Sequence, residues 1–185
     1  MFRNRVGSAL SVVVLAGAML SGTVTQKTFQ SASVNQTITY FLYRPASYDQ
    51  DVAAGKKFSL VILMHWWAYK ADGWSAATGG RVNPQLDRCI DSVSGIICVA
   101  PQDPTPAGLQ YPGTSWWVDG PMGKYGTLIA EDMVAEAEAT NATYQDRTKR
   151  GLSGASMGGF GALHNVRVRS DVFRVAYAIV PLCDL

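Results

Sequence analysis

Histidine is scarce in this sequence: 185 residues contain two, His65 and His164. Cysteine is nearly as scarce, with three. Two histidines and three cysteines at wide spacing do not make a zinc site, which needs grouped nitrogen and sulfur ligands. No metal and no cofactor is therefore expected. Charge is also low, at 16% of residues, while 48% are hydrophobic. A disordered chain shows the opposite balance, so disorder is excluded. The 18 glycines follow no fixed period, which excludes a collagen-like helix. No basic run is present; the densest cluster is Arg147, Lys149 and Arg150. The net charge of +2 disappears without Arg3 and Arg5. A protein that grips phosphate backbones needs a basic face, so nucleic-acid binding is excluded. No repeats occur, and the length suits one domain.

The first residues read as an export signal. Arg3 and Arg5 form a positive start, Ala9 to Leu20 is a short apolar run, and Ala16-Gly17-Ala18 is a small-x-small cleavage pattern. A membrane anchor would need about 20 apolar residues, and Ser8, Ser11 and Ser21 bracket or interrupt the run. No stable membrane anchor is expected. Leu20-Ser21-Gly22 would suit a lipoprotein signal, but Thr23 stands where the lipid-bearing cysteine should be. The cut falls between Ala18 and about Gln26, dividing the chain into a signal peptide over 1–26 and a domain over 27–185. Export permits a disulfide between Cys89 and Cys98, but Cys98 equally reads as a buried thiol in an apolar strand, and both readings stay open. Asn35-Gln36-Thr37 and Asn141-Ala142-Thr143 are glycosylation sequons, relevant only in a eukaryotic secretory pathway.

Strands and helices alternate along the remainder. Thr37 to Tyr43 is β-branched and aromatic, ends at Arg44-Pro45, and reads as a strand. Leu60 to His65 and Gly95 to Ala100 are continuous apolar runs, as expected of strands buried on both faces of a parallel sheet. Lys149 to Ser153 and Phe173 to Val180 read as further strands. Helices are expected over Pro84 to Val93, Leu128 to Ala139, and Met157 to about Val168. The order predicts an α/β fold, a mostly parallel sheet with helices on both faces. Pro101 to Tyr125 reads as a long, proline-rich loop carrying Trp116-Trp117.

The motif that carries chemistry is Gly154-Ala155-Ser156-Met157-Gly158, a G-x-S-x-G between a strand and a helix. A nucleophilic serine must project from a very sharp turn there. The flanking positions two before and two after it must be small, because they pack against each other. The backbone N–H of Met157 then faces the same space as Ser156 Oγ and can donate to the oxyanion of a tetrahedral intermediate. The start of the helix adds its positive dipole end.

Gly151 to Leu163 (GLSGASMGGFGAL) strongly resembles the nucleophile segment of the esterase D-like family of α/β-hydrolases. That family includes S-formylglutathione hydrolases, feruloyl esterase domains and mycolyltransferases. Leu60 to Trp74 resembles the family's strand and oxyanion loop. Ser115 to Asp119 resembles the loop before its nucleophile strand. Tyr125 to Ala139 resembles its helix near an acidic pair, here Glu131-Asp132, and Asp171 to Val180 resembles the next strand. The resemblance covers roughly Thr37 to Leu185. It implies an α/β-hydrolase fold, Ser156 as nucleophile, and the N–H groups of Met157 and Trp67 as oxyanion donors. It also implies an ester substrate, small or carbohydrate-linked, with Trp66, Trp116 and Trp117 as candidate walls for an aromatic or sugar ring. Ordinary packing is the competing role for those tryptophans.

Two departures from the family pattern stand out. The family has His-Gly or Ser-Gly where this chain has His65-Trp66; a tryptophan there is strained if the position needs positive φ. The family's acid and base follow the serine in the order Asp, His, beyond the strand ending near Val180. His65 ends a strand. His164 lies about 12 Å along the helix from Ser156, and neither suits a general base. Asp184 follows the last strand, where a few hydrolases place the acid. The chain is expected to be the N-terminal portion of an exported serine esterase, lacking the triad Asp and His. Acyl transfer to a sugar hydroxyl on the same fold, or an inactive binding remnant, are the competing functions.

Overall fold

The computed structural model describes residues 22–67, 70–74, 93–105, 114–181 and 183. The expected signal segment, the helix expected over Pro84 to Val93 (Val93 excepted), Cys89 and Asp184 lie outside these residues. A six-stranded sheet runs through the molecule in the order β1-β2-β4-β3-β7-β8. Its strands are β1 (Thr23–Ser31), β2 (Gln36–Arg44), β3 (Ser59–Met64), β4 (Ile96–Pro101), β7 (Arg150–Ala155) and β8 (Val175–Ile179). A separate hairpin pairs β5 (Asp119–Gly120) with β6 (Gly123–Lys124). The β1–β2 and β2–β4 pairs are antiparallel, and β4–β3, β3–β7 and β7–β8 are parallel.

The apolar runs become the central strands because both of their faces are covered. On β3, Leu60, Ile62 and Met64 face one core, together with Ile97, Val99 and Leu152. Leu63 faces a second core with Phe41, Tyr43, Cys98 and Trp74. The first core is closed by two helices. One is α2, a continuous helical run of an α-turn Tyr125–Thr127, a π-segment Leu128–Asp132 and an α-helix Met133–Thr140. The other is α3 (Met157–Val168). Ile129, Met133 and Ala137 of α2 and Met157 and Ala162 of α3 are buried against the strands. A short helix, α1 (Tyr48–Ala53), adds Tyr48, whose ring packs on Phe58. On the second face the 3₁₀ turn Ala71–Trp74 covers the sheet.

Two elements differ from the sequence reading. β1 was not expected, and it crosses residue 26: all nine of its residues pair with β2. Its exposed edge position tolerates Thr, Gln and Lys, so it carries no apolar run. Asn35, at φ 51°, closes the β1–β2 turn, and Asp132 of α2 accepts hydrogen bonds from Ser31 Oγ and from the Ser33 N–H. The expected long loop from Pro101 to Tyr125 contains the β5–β6 hairpin. Cys98 is a free buried thiol, one of the two readings left open for it. Desolvation pushes that thiol up to about 12.

Candidate active site

β7 ends at Ala155 and α3 begins at Met157, so the reversal from strand to helix occurs at one residue, Ser156. Its backbone sits at φ 52°, ψ −114°, a region non-glycine residues avoid. The turn is held by the Ser156 N–H donating to Ile179 C=O and the Phe160 N–H donating to Ser156 C=O, both at 2.9 Å. The flanking glycines are sterically required. A Cβ on Gly154 would lie 2.3 Å from Gly158 O, and one on Gly158 would lie 2.0 Å from Met64 O. The turn can therefore be this tight only where both positions lack side chains. Met157 is buried at the first helical position, where backbone N–H groups have no partner within the helix.

The end of β3 abuts this turn, since Met64 and His65 carbonyls are the nearest atoms to Gly158. His65 is buried, and burial holds its imidazole below the usual histidine range. Its Nε2 accepts the Asp103 N–H at 3.0 Å. Its Nδ1 lies 2.8 Å from Trp66 C=O. Trp66 is half-buried, edge-on to Trp74 at 5.8 Å. It is not among the described residues with positive φ, so the strain anticipated for a non-glycine here is absent. Trp67 follows, 46% exposed.

The tryptophan pair at 116–117 divides. Trp117 is fully buried and does not form a substrate wall. Both residues take positive φ, 50° and 59°, and the Trp117 indole is turned inward. There its N–H donates to His65 C=O at 3.1 Å, and its backbone binds Ser115 Oγ and Asn165 Nδ2. A Cβ on Gly161 would meet Trp117 Cβ at 2.6 Å, so α3 needs glycine there to admit the indole. Trp116 remains half-buried and packs edge-on to Phe160, one turn past Ser156, at 5.7 Å. His164 stacks on Phe160 one turn further along, away from Ser156. The sequence did not disclose Gln102 and Asp103, which surround His65. Their only signal was their place directly after the buried strand ending at Pro101.

No group of metal-ligating side chains is present among the described residues. No helix among them is long and apolar enough to cross a membrane.

A ferulic acid esterase structure superposes with a TM-score of 0.74 at 27% identity, over 90% of this chain and 62% of its own. An S-formylglutathione hydrolase from Agrobacterium tumefaciens gives 0.65 at 16% identity, over 90% and 60%. The CE1 ferulic acid esterase AmCE1/Fae1A from the anaerobic fungus Anaeromyces mucronatus gives 0.66 at 18%, over 90% and 61%. These likenesses establish the α/β-hydrolase fold. The chain spans about three-fifths of the length of these relatives. No curated protein matches the sequence. Residues 31–185 match the family described as Putative esterase. With most of its length inside that match, the chain belongs to the Putative esterase family.

Proposed function

We propose that this chain carries the nucleophile and oxyanion half of a serine carboxylic-ester hydrolase. Ser156 Oγ attacks the ester carbonyl, loses its proton to a general base, and forms an acyl-enzyme as the alcohol leaves. Water then releases the acid and restores the serine. The N–H groups of Met157 and Trp67 hold the oxyanion of each tetrahedral intermediate. The observation that carries this reading is the backbone of Ser156, at φ 52° and ψ −114° between two glycines that admit no Cβ. Strain of this kind is kept where the geometry is needed.

Neither histidine is assigned as the base. Both ring nitrogens of His65 are engaged inside the fold, and His164 lies two helical turns from Ser156. The substrate is a small or carbohydrate-linked ester, with half-buried Trp66 and Trp116 as the remaining wall candidates. The relatives named for ferulic acid favour an aromatic acyl group. A sugar hydroxyl could replace water as acceptor; a transferred ester formed on adding sugar reads out that case. Export through the leading segment belongs to the same proposal, with cleavage upstream of Thr23 so that β1 stays whole.

A fluorophosphonate probe tests the reading. The gene product at its natural length should label at Ser156, and Ser156→Ala should abolish labelling.

A further inference from the structure

The peptide joining Trp66 to Trp67 is gripped at its carbonyl. His65 Nε2 accepts the Asp103 N–H, so Nδ1 carries the ring hydrogen and donates it to Trp66 C=O. Gln102 reinforces this assignment: its Nε2 lies 3.3 Å from His65 Nε2, and its Oε1 accepts the Ala71 N–H at 2.9 Å. The ring is also braced by Trp117, edge-on at 5.1 Å. In a trans peptide the C=O and the following N–H point in opposite directions. Fixing Trp66 C=O therefore fixes the direction of the Trp67 N–H. This happens beside the nucleophile turn, because the Met64 and His65 carbonyls lie against Gly158.

We propose that His65 is a positioning residue for the oxyanion hole, its Nδ1–H on Trp66 C=O setting the orientation in which the Trp67 N–H meets the oxyanion. The proposal rests on the esterase reading of Ser156 and deepens it. It gives work to a buried histidine that neither attacks nor moves a proton. The competing role is a tether, in which only Nε2 and the Asp103 loop matter. Amide side chains separate the two roles. His65→Asn can place an N–H near the position of Nδ1, and His65→Gln can place an acceptor oxygen near that of Nε2.

The test uses the gene product at its natural length with p-nitrophenyl acetate. Turnover that requires Ser156 establishes the esterase reading independently of His65. His65→Asn should then stay within a few-fold of the parent, whereas His65→Gln should lower kcat about 10²-fold, the scale of a lost oxyanion donor, with KM little changed. The reverse order, or equal loss in both, would overturn the proposal. Two NMR readouts need no turnover. The Trp67 amide resonance should move in His65→Gln and stay in His65→Asn; an unmoved amide in His65→Gln overturns the positioning role. In the unmutated protein, ¹⁵N shifts should show His65 protonated at Nδ1 and bare at Nε2, and the opposite tautomer contradicts the proposal even if a variant fails to fold.

Discussion

Ser156 occupies a backbone conformation that suits glycine better than any other residue. Such strain costs on the order of 1–3 kcal/mol. Ser156→Gly should therefore raise stability by about 1 kcal/mol in urea denaturation, while abolishing fluorophosphonate labelling. Stability gained with function lost is the signature of a side chain held for its chemistry. The flanking glycines behave oppositely. Gly158→Ala would drive a Cβ to 2.0 Å from Met64 O, a backbone atom that cannot swing away. Its cost should equal or exceed the roughly 1–3 kcal/mol typical of overpacked cores, read as a fall in denaturation midpoint. Cys98 offers a further check. Buried, with its thiol pushed up to about 12, it should resist iodoacetamide at pH 8 until the protein unfolds. Cys183, which is exposed, should alkylate at once in peptide mapping.

At the scale of elements, the segment from β3 to the 3₁₀ turn at Ala71–Trp74 depends on one buried neutral histidine. Burial lowers the His65 pKa in the folded state, so the unfolded chain binds the proton more readily. Its contribution to stability is therefore present above about pH 6.5, the unfolded value, and is lost as pH falls below it. The loss approaches about 1.4 kcal/mol per pH unit at most. His65→Asn should remove that dependence, seen as a flatter plot of urea midpoint against pH between 7 and 5. The sequence made this region partly legible. β2, β3, β4 and β8 announced themselves through apolar or β-branched runs, which β3 and β4 carry because central strands must bury both faces; β7, written RGLSGA, has no such run and was legible only beside the serine motif that follows it. β1 did not announce itself, because an edge strand with one side in water can be written as TVTQKTFQS. Its first residues also overlapped the expected leader. The turn at Ser156 was legible because steric necessity leaves a local signature, two glycines around a serine. The fate of Trp117 was not. Whether an indole lines a cleft or fills a core depends on Ser115, His65 and Asn165, partners as far as 52 residues away.

At the scale of the whole molecule, β8 ends the sheet among the described residues, and one of its faces is exposed and apolar. Val175, Tyr177 and Ile179 are 59%, 69% and 39% exposed. An open, apolar edge strand is a template for pairing with another chain. A polypeptide of these 185 residues should therefore self-associate, and Tyr177→Lys should reduce that association in light scattering without changing the circular-dichroism spectrum. The role proposed for this sheet is to present Ser156 as a nucleophile. Its most direct test is fluorophosphonate labelling of the folded gene product at its natural length, followed by peptide mapping. A single modified peptide containing Ser156, absent in Ser156→Ala, is the predicted result. A folded protein that takes no label, or takes it at another serine, would contradict the account.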